Sequence, residues 1–243
     1  MSPSTWRRRI KTFCRRRGYD VVRFHPESSD AAKVHAVLRH LGTDLVLDVG
    51  ANEGQYGGSL REMGYRGRLV SFEPLSSAHA VLQRRAAQDP LWRVHPRCAL
   101  GDQEGEISIH IAGNNVSSSV LPMLEQHARA APDSRYIGQE RVLITRLDSV
   151  APAYLADARG LYLKIDTQGY EALVLAGAAQ VLAQCRAVQL ELSLVPLYEG
   201  QALWEQLIAE LRASGFELWT VLLGFVEPDT GRSLQIDAIF VRR

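Results

Sequence analysis

Short apolar runs alternate with helix-period stretches along most of the chain, and that order leaves few folds open. "LVLDVG" (45–50) precedes a helical pattern over about 54–63, "RLVSFEP" (68–74) precedes one over about 76–87, and "WRVHPRCAL" (92–100) follows. A strand, helix, strand, helix, strand succession implies a parallel sheet with right-handed crossovers. A helix over 29–41 leads in, with Val34, Val37, Leu38 and Leu41 on one face and Ser29 or Asp30 as cap. The pattern resumes with "LYLKID" (161–166), a helix from about Gly169 to Leu182, "AVQLELSL" (187–194), a helix over 201–213, "FELWTVL" (216–222) and "AIFVRR" (238–243). Trp204, Leu207, Ile208 and Leu211 form the core-facing side of that last helix. The reading is an α/β fold with seven core strands.

With 243 residues, 46% of them hydrophobic, the chain suits one globular domain, assigned to 29–243. Residues 101–160, between the third and fourth core strands, are too many for a plain connection. Within them "EISIHIA" (106–112) and "RVLITRL" (141–147) alternate like half-exposed strands, separated by "GNNVSSSV" (113–120) and a short helical pattern near 122–131. This predicts a hairpin-like insertion capping the sheet's edge or mouth. Asn114, Asn115 and Ser117 to Ser119 offer amides and hydroxyls that suit a sugar, or simply make a polar loop.

The whole-chain charge of +1 argues for neither nucleic acid nor membrane. Its distribution is uneven: Met1 to His25 hold eight Lys or Arg against Asp20, a segment of +7, so the remainder carries −6. This basic arm, residues 1–28, reads as a solvated terminal helix or as a contact for anionic lipid, nucleic acid or an anionic acceptor. No apolar run marks a secretory signal or a membrane span, which makes a cytoplasmic protein the simplest expectation. Cys14, Cys98 and Cys185 are scattered, without disulfide or zinc spacing.

In an open parallel sheet the ligand sits beyond the carboxyl ends of the strands. There the first turn carries Asp48, Gly50, Asn52 and Gly54, spaced G-x-x-x-G and lacking both a phosphate-loop lysine and G-x-G-x-x-G. Glycines let the backbone bend and approach a ligand, and the following helix offers unpaired N–H groups. An acid at Asp48 would repel a pyrophosphate but suits an ammonium beside a carboxylate, as at the amino-acid end of S-adenosylmethionine. Glu73, ending the second strand, is placed to accept two ribose hydroxyls.

At the fourth strand the period of two puts Lys164 and Asp166 on one face, with Asp166 at the tip. Glu191, near the end of the fifth strand, is expected beside it. Two crowded carboxylates raise one pKa, giving a base usable near neutrality, or recruit a divalent cation such as Mg²⁺. Asp166 is therefore the candidate base or metal ligand, Glu191 its partner or the orienter of an acceptor, and Lys164 an electrostatic stabiliser. The plainer alternative leaves Lys164 as a structural counter-ion and Glu191 without a proton role. Glu171 is expected to cap the helix that "TQGYE" opens. Asp237 either closes the cleft or satisfies a turn, and His95, His110 and His127 have no partner spacing.

"LDVGANEGQYG", "FEP", "CALGDQEGEI", "TRLDSV", "LKIDTQGYEALVLAGA" and "QIDAIFVRR", in this order, resemble the FkbM family of S-adenosylmethionine-dependent methyltransferases over roughly residues 30–243. The resemblance implies a class I methyltransferase sheet, Rossmann-like, mostly parallel with helices on both faces and the seventh strand antiparallel. It implies methylation of hydroxyl oxygens on sugars of glycolipids and polysaccharides or on polyketide-type natural products. It carries over Asp48, Gly50, Asn52 and Gly54 as the methionine-end turn, Glu73 as the ribose acid, and Ala99 with its neighbours beside the adenine. Thr167 before Gln168 departs mildly from the family pattern of Val or Ile followed by Glu or Gln. An RNA or DNA methyltransferase would show an Asn- or Asp-Pro-Pro-aromatic motif where "IDTQ" stands, and the arm lacks a plain set of stacking aromatics. A nicotinamide oxidoreductase and a cofactor-binding scaffold without catalysis are the remaining rivals.

Overall fold

The computed structural model describes residues 3–243; Met1 and Ser2 of the basic arm, and the side chains of Pro3, Ser4, Thr5 and Arg7, lie outside the described residues. Helix α1 (Pro3–Arg15) is followed by α2 (Asp30–His40), whose first turn is capped by Ser29 Oγ accepting from the Ala32 N–H. Strand β1 (Leu45–Val49) is buried along its whole length, as a near-continuous apolar run at the centre of a parallel sheet requires. After it come α3 (Gln55–Glu62), β2 (Arg68–Phe72), α4 (Ser76–Ala86) and β3 (Trp92–Val94).

The run "WRVHPRCAL" is not one strand. It divides into β3 and β4 (Ala99–Leu100), which belong to different sheets. Pro96 lies at the break; it has no N–H to donate to a ladder and biases the residue before it, so the chain turns there. The expected hairpin is a three-stranded sheet in the order β4-β6-β5, built from β5 (Gly105–Ala112) and β6 (Tyr136–Thr145) with β4 added parallel to β6. Helix α5 (Glu125–Ala130) lies in the link between β5 and β6, and "TRL" leaves β6 for a turn of helix, α6 (Leu147–Val150).

After β7 (Leu161–Ile165), the single helix expected over 169–182 is two, α7 (Glu171–Ala176) and α8 (Ala179–Gln184). The break has a packing cause. A Cβ on Gly177 would overlap the carbonyl oxygen of Gly101, so the chain passes backbone against backbone at this point. Asp148 then caps the second piece, accepting from the N–H groups of Gln180 and Val181 at 3.0 and 2.9 Å.

The chain ends with β8 (Cys185–Ser193), α9 (Trp204–Ala213), β9 (Phe216–Leu223) and β10 (Gln235–Arg242). Leu207 and Leu211 of α9 are buried, Ile208 half-buried, and Trp204 exposed. The main sheet runs β3-β2-β1-β7-β8-β10-β9, with β10 antiparallel to both neighbours and the other pairs parallel. This is the seven-stranded class I methyltransferase arrangement. The strand order reverses between β1 and β7, and a ligand crevice is expected outside the carboxyl ends of those two strands. No helix among the described residues is long and apolar enough to cross a membrane.

Candidate active site

A cavity of about 470 Å³ opens at that switch point. Register alone builds its polar side. Ser71 on β2 lies opposite Asp48 on β1, Asp48 opposite Lys164 on β7, and Lys164 opposite Gln189 on β8, so four buried polar side chains form one row across four strands. Trp92 Nε1 donates to Ser71 Oγ at 3.0 Å, and Ser71 Oγ donates to Asp48 Oδ2 at 3.2 Å. Lys164 Nζ lies 3.3 Å from Asp48 Oδ1 and 3.4 Å from Asp166 Oδ2, and donates to the Gly50 carbonyl at 3.3 Å. Burial alone would depress Lys164; Asp166 and Asp48 outweigh it and hold the ammonium above its ordinary value.

Asp48 is not where a ligand's ammonium would meet it. The carboxylate is fully buried beneath the turn and absent from the cavity wall, and the cation beside it is Lys164. Burial pushes its pKa up, and the Lys164 ammonium beside its Oδ1 pulls the other way.

The turn itself forms much of the floor. Gly50 has φ +74, and a Cβ there would overlap the carbonyl oxygen of Asp166, so the glycine serves the contact between β1 and β7 as well as the bend. Asn52, at φ 48, donates its N–H to Glu73 Oε2 at 2.8 Å, and Leu75 donates its N–H to Glu73 Oε1 at 2.9 Å. Glu73 lines the cavity while only 6% exposed, and burial raises its pKa to about 7. Gly54, at φ 83, precedes α3, whose Gln55 and Tyr56 lie on the cavity wall. The opposite wall is apolar: Phe72, Leu75, Cys98, Ala99, Leu100 and Ile109.

Asp166 and Glu191 do come to neighbouring places, but an amide stands between them. Gln168 Nε2 donates to Asp166 Oδ1 at 2.9 Å and to Glu191 Oε2 at 2.8 Å, while Gln168 Oε1 accepts from Tyr198 Oη at 2.8 Å. Asp166 reaches the cavity wall and Glu191 does not. Burial first, then Asp166, Glu171 and Asp237, push Glu191 well above the usual carboxyl range, favouring its neutral form. This donor set does not fit the divalent cation offered as the alternative to a base: the amide lies between the two acids, and no group of three or more His, Cys, Asp or Glu able to hold a metal is assembled among the described residues.

Glu171 organises the loop before its helix. Its Oε1 accepts from the N–H and hydroxyl of Thr167 and from the N–H of Gly169, holding Gln168 at φ 54. Asp237 faces the cavity opposite Glu191 in register and accepts from Gln189 Nε2 at 3.1 Å; burial and Asp166 raise it to about 6. Gln189 Oε1 in turn accepts from the hydroxyls of Tyr56 and Tyr162, each at 2.9 Å. No site role was read from sequence for Gln168, Gln189, Tyr56 or Tyr198. Gln189 carries a readable signal, being polar and two residues from Glu191 within the run "AVQLEL".

The "NNVSSSV" loop closes over the cavity. Asn115, Ser118 and Ser119 line it; Asn52 Nδ2 donates to the Asn115 carbonyl at 3.2 Å, and Ser119 Oγ to the Gln168 carbonyl at 2.6 Å. Asn114 and Ser117 bond each other instead. Of the histidines, His95 Nδ1 meets Tyr154 Oη, His110 stacks on Tyr136, and His127 is buried with Nδ1 unpartnered.

The chain is 27% identical over 164 residues to the 2-O-methyltransferase NoeI of Sinorhizobium fredii (strain NBRC 101917 / NGR234), a match covering 65% of this chain and 66% of that protein. Among solved structures it resembles a methyltransferase FkbM from Methylobacillus flagellatus KT, with TM-score 0.48 and 14% identity, covering 82% of this chain and 43% of that one. It also resembles Aeropyrum pernix fibrillarin with natively bound S-adenosyl-L-methionine, with TM-score 0.46 and 13% identity over 82% and 66% of the two chains. The methyltransferase FkbM domain matches residues 48–218, most of the sheet and all of the second sheet, and the chain belongs to that family of methyltransferases.

Proposed function

We propose that the protein transfers a methyl group from S-adenosylmethionine to a hydroxyl oxygen of a small acceptor, a sugar of a glycolipid, polysaccharide or glycosylated product, or a polyketide-type molecule. The observation that carries this reading is the division of labour around one cavity. A buried, cavity-lining carboxyl, Glu73, stands beside an apolar slot, and a cavity-facing carboxylate, Asp166, stands beside a buried ammonium. The Sinorhizobium fredii relative is named a 2-O-methyltransferase, which agrees with an oxygen acceptor.

Each oxygen of Glu73 takes one backbone N–H, which fixes the carboxylate and leaves further lone pairs for two hydroxyls. Phe72, Ala99 and Leu100 supply flat apolar contact for a purine, and the first N–H groups of α3, at Gln55 and Tyr56, suit a carboxylate. When bound, S-adenosylmethionine supplies a methyl group already activated on a sulfonium. The protein's remaining task is the acceptor's proton. A sugar hydroxyl is too weak an acid to ionise first, but becomes strongly acidic as its oxygen bonds to carbon, so a plain carboxylate suffices if it is in place. Asp166 accepts that proton. Lys164 and Gln168 each hold one of its oxygens, and Glu191, neutral, orients the amide and does not compete as a base.

Labelled S-adenosylmethionine incubated with deoxysugar, mannoside, macrolide and RNA acceptors tests the class. Asp166→Asn should lower turnover by about 100- to 10,000-fold, the range of a lost general base, with cofactor affinity by calorimetry nearly unchanged. Retained turnover would reject the base, and label on RNA alone would reject the acceptor class.

A further inference from the structure

We infer that the N-terminal arm is an interfacial helix that docks the protein on an anionic lipid bilayer. Helix α1 separates its side chains by kind. Trp6, Ile10 and Phe13 recur at intervals of four and three residues along one side, while Arg8, Lys11 and Arg15 recur at three and four along the other. Trp6 is 60% exposed and Phe13 55%. No residue before Ala32 is buried among the described residues, so this apolar stripe has no place in the core. The segment after the helix continues the theme with exposed Tyr19, Val21, Val22 and Phe24. Its described tie to the fold is slight: Phe24 lies against His35 of α2 with ring centroids 6.1 Å apart.

An isolated helix of 13 residues is marginal in water, and a stripe of aromatic and aliphatic groups on it gains nothing there. A bilayer surface resolves both problems. The stripe sinks into the boundary between headgroups and acyl chains, tryptophan sits at headgroup depth, and the +7 charge of residues 1–25 meets anionic phosphates. A single-stranded nucleic acid would use the same charge. It would not use a contiguous stripe containing Ile10, since bases stack on separated flat rings.

The test uses the full chain in co-sedimentation with vesicles of phosphatidylcholine alone or containing phosphatidylglycerol. Binding should require phosphatidylglycerol and weaken as salt rises above about 0.1 M, where the Debye length falls below about 10 Å. Arg8→Gln/Lys11→Gln/Arg16→Gln leaves the Arg15–Asp20 ion pair intact and should reduce partitioning about a hundredfold. Trp6→Ser/Phe13→Ser should reduce it at least tenfold with the charge unchanged, and both variants should keep the wild-type melting temperature. Failure to sediment with phosphatidylglycerol, equal binding by both variants, or retention on poly-uridylate in place of vesicles would overturn the inference.

Discussion

Lys164 shows how one residue can be held too tightly to serve as a free catalyst. Its ammonium sits between Asp48, which water does not reach, and Asp166, which faces the cavity. Removing the lysine strands a buried carboxylate, and breaking such a pair from one side costs about 3–5 kcal/mol. Lys164→Met should therefore destabilise the protein by about that much in urea denaturation. Adding Asp48→Asn should restore more than half of the loss, because the charge that needed a partner is gone. A single variant within about 1 kcal/mol of wild type would show that Asp48 is carried some other way. The Lys164–Asp166 side of this arrangement was legible from the period of two. The Asp48–Lys164 side was not, because it depends on which residues of β1 and β7 stand opposite each other, and register across a crossover of over a hundred residues leaves no local mark.

At the level of elements, the strands that bury both faces were readable and the breaks within elements were not. β1, β2, β7 and β8 announce themselves as apolar runs, and their order fixes the parallel sheet and the switch point where the cavity lies. Gly177 reads as a tolerable glycine in a continuous helix, yet it divides α7 from α8, because a second strip of chain at Gly101 lies against it. Likewise "IDTQGYE" reads as a strand tip and a helix start, while the loop between them is shaped by Glu171 reaching back to Thr167 and Gly169. Gly177→Ala places a methyl group on backbone that no rotamer can move aside. It should cost about 3 kcal/mol, the upper end for overpacking, and loosen the insertion sheet through β4. Thermal melts together with faster amide exchange at Ala99 to Gly101 would check this, and an unchanged melting temperature would show that the two backbones separate freely.

For the whole molecule, the acids in and beneath the cavity share an upward shift in pKa. Glu73 rises from 4.5 to about 7 and Asp237 from 3.8 to about 6, both chiefly through burial, and Asp48, Glu171 and Glu191 shift the same way. The sign follows from counting protons. Between its unfolded and folded pKa a raised acid holds more protons in the folded chain, so stability falls as pH climbs through that window. For Glu73 the window runs from 4.5 to about 7. His127 opposes this, because burial lowers it from 6.5 to about 4, and a buried neutral histidine adds stability as pH rises through the same range. Five raised acids against this histidine and the weaker His95 leave the acids in control. The ligand-free protein should be most stable near pH 5 and lose a few kcal/mol by pH 8, a loss of the size set by two shifts of about two units. His127→Phe, which fills the same apolar site between Tyr198 and Phe225, should steepen that decline by removing the opposing group. Guanidinium titrations from pH 5 to pH 8 measure both slopes. A stability that rises with pH in the wild type would mean that the cavity's acids are ionised in the folded chain, and that the burial assigned to Glu73 and Asp237 does not govern their charge.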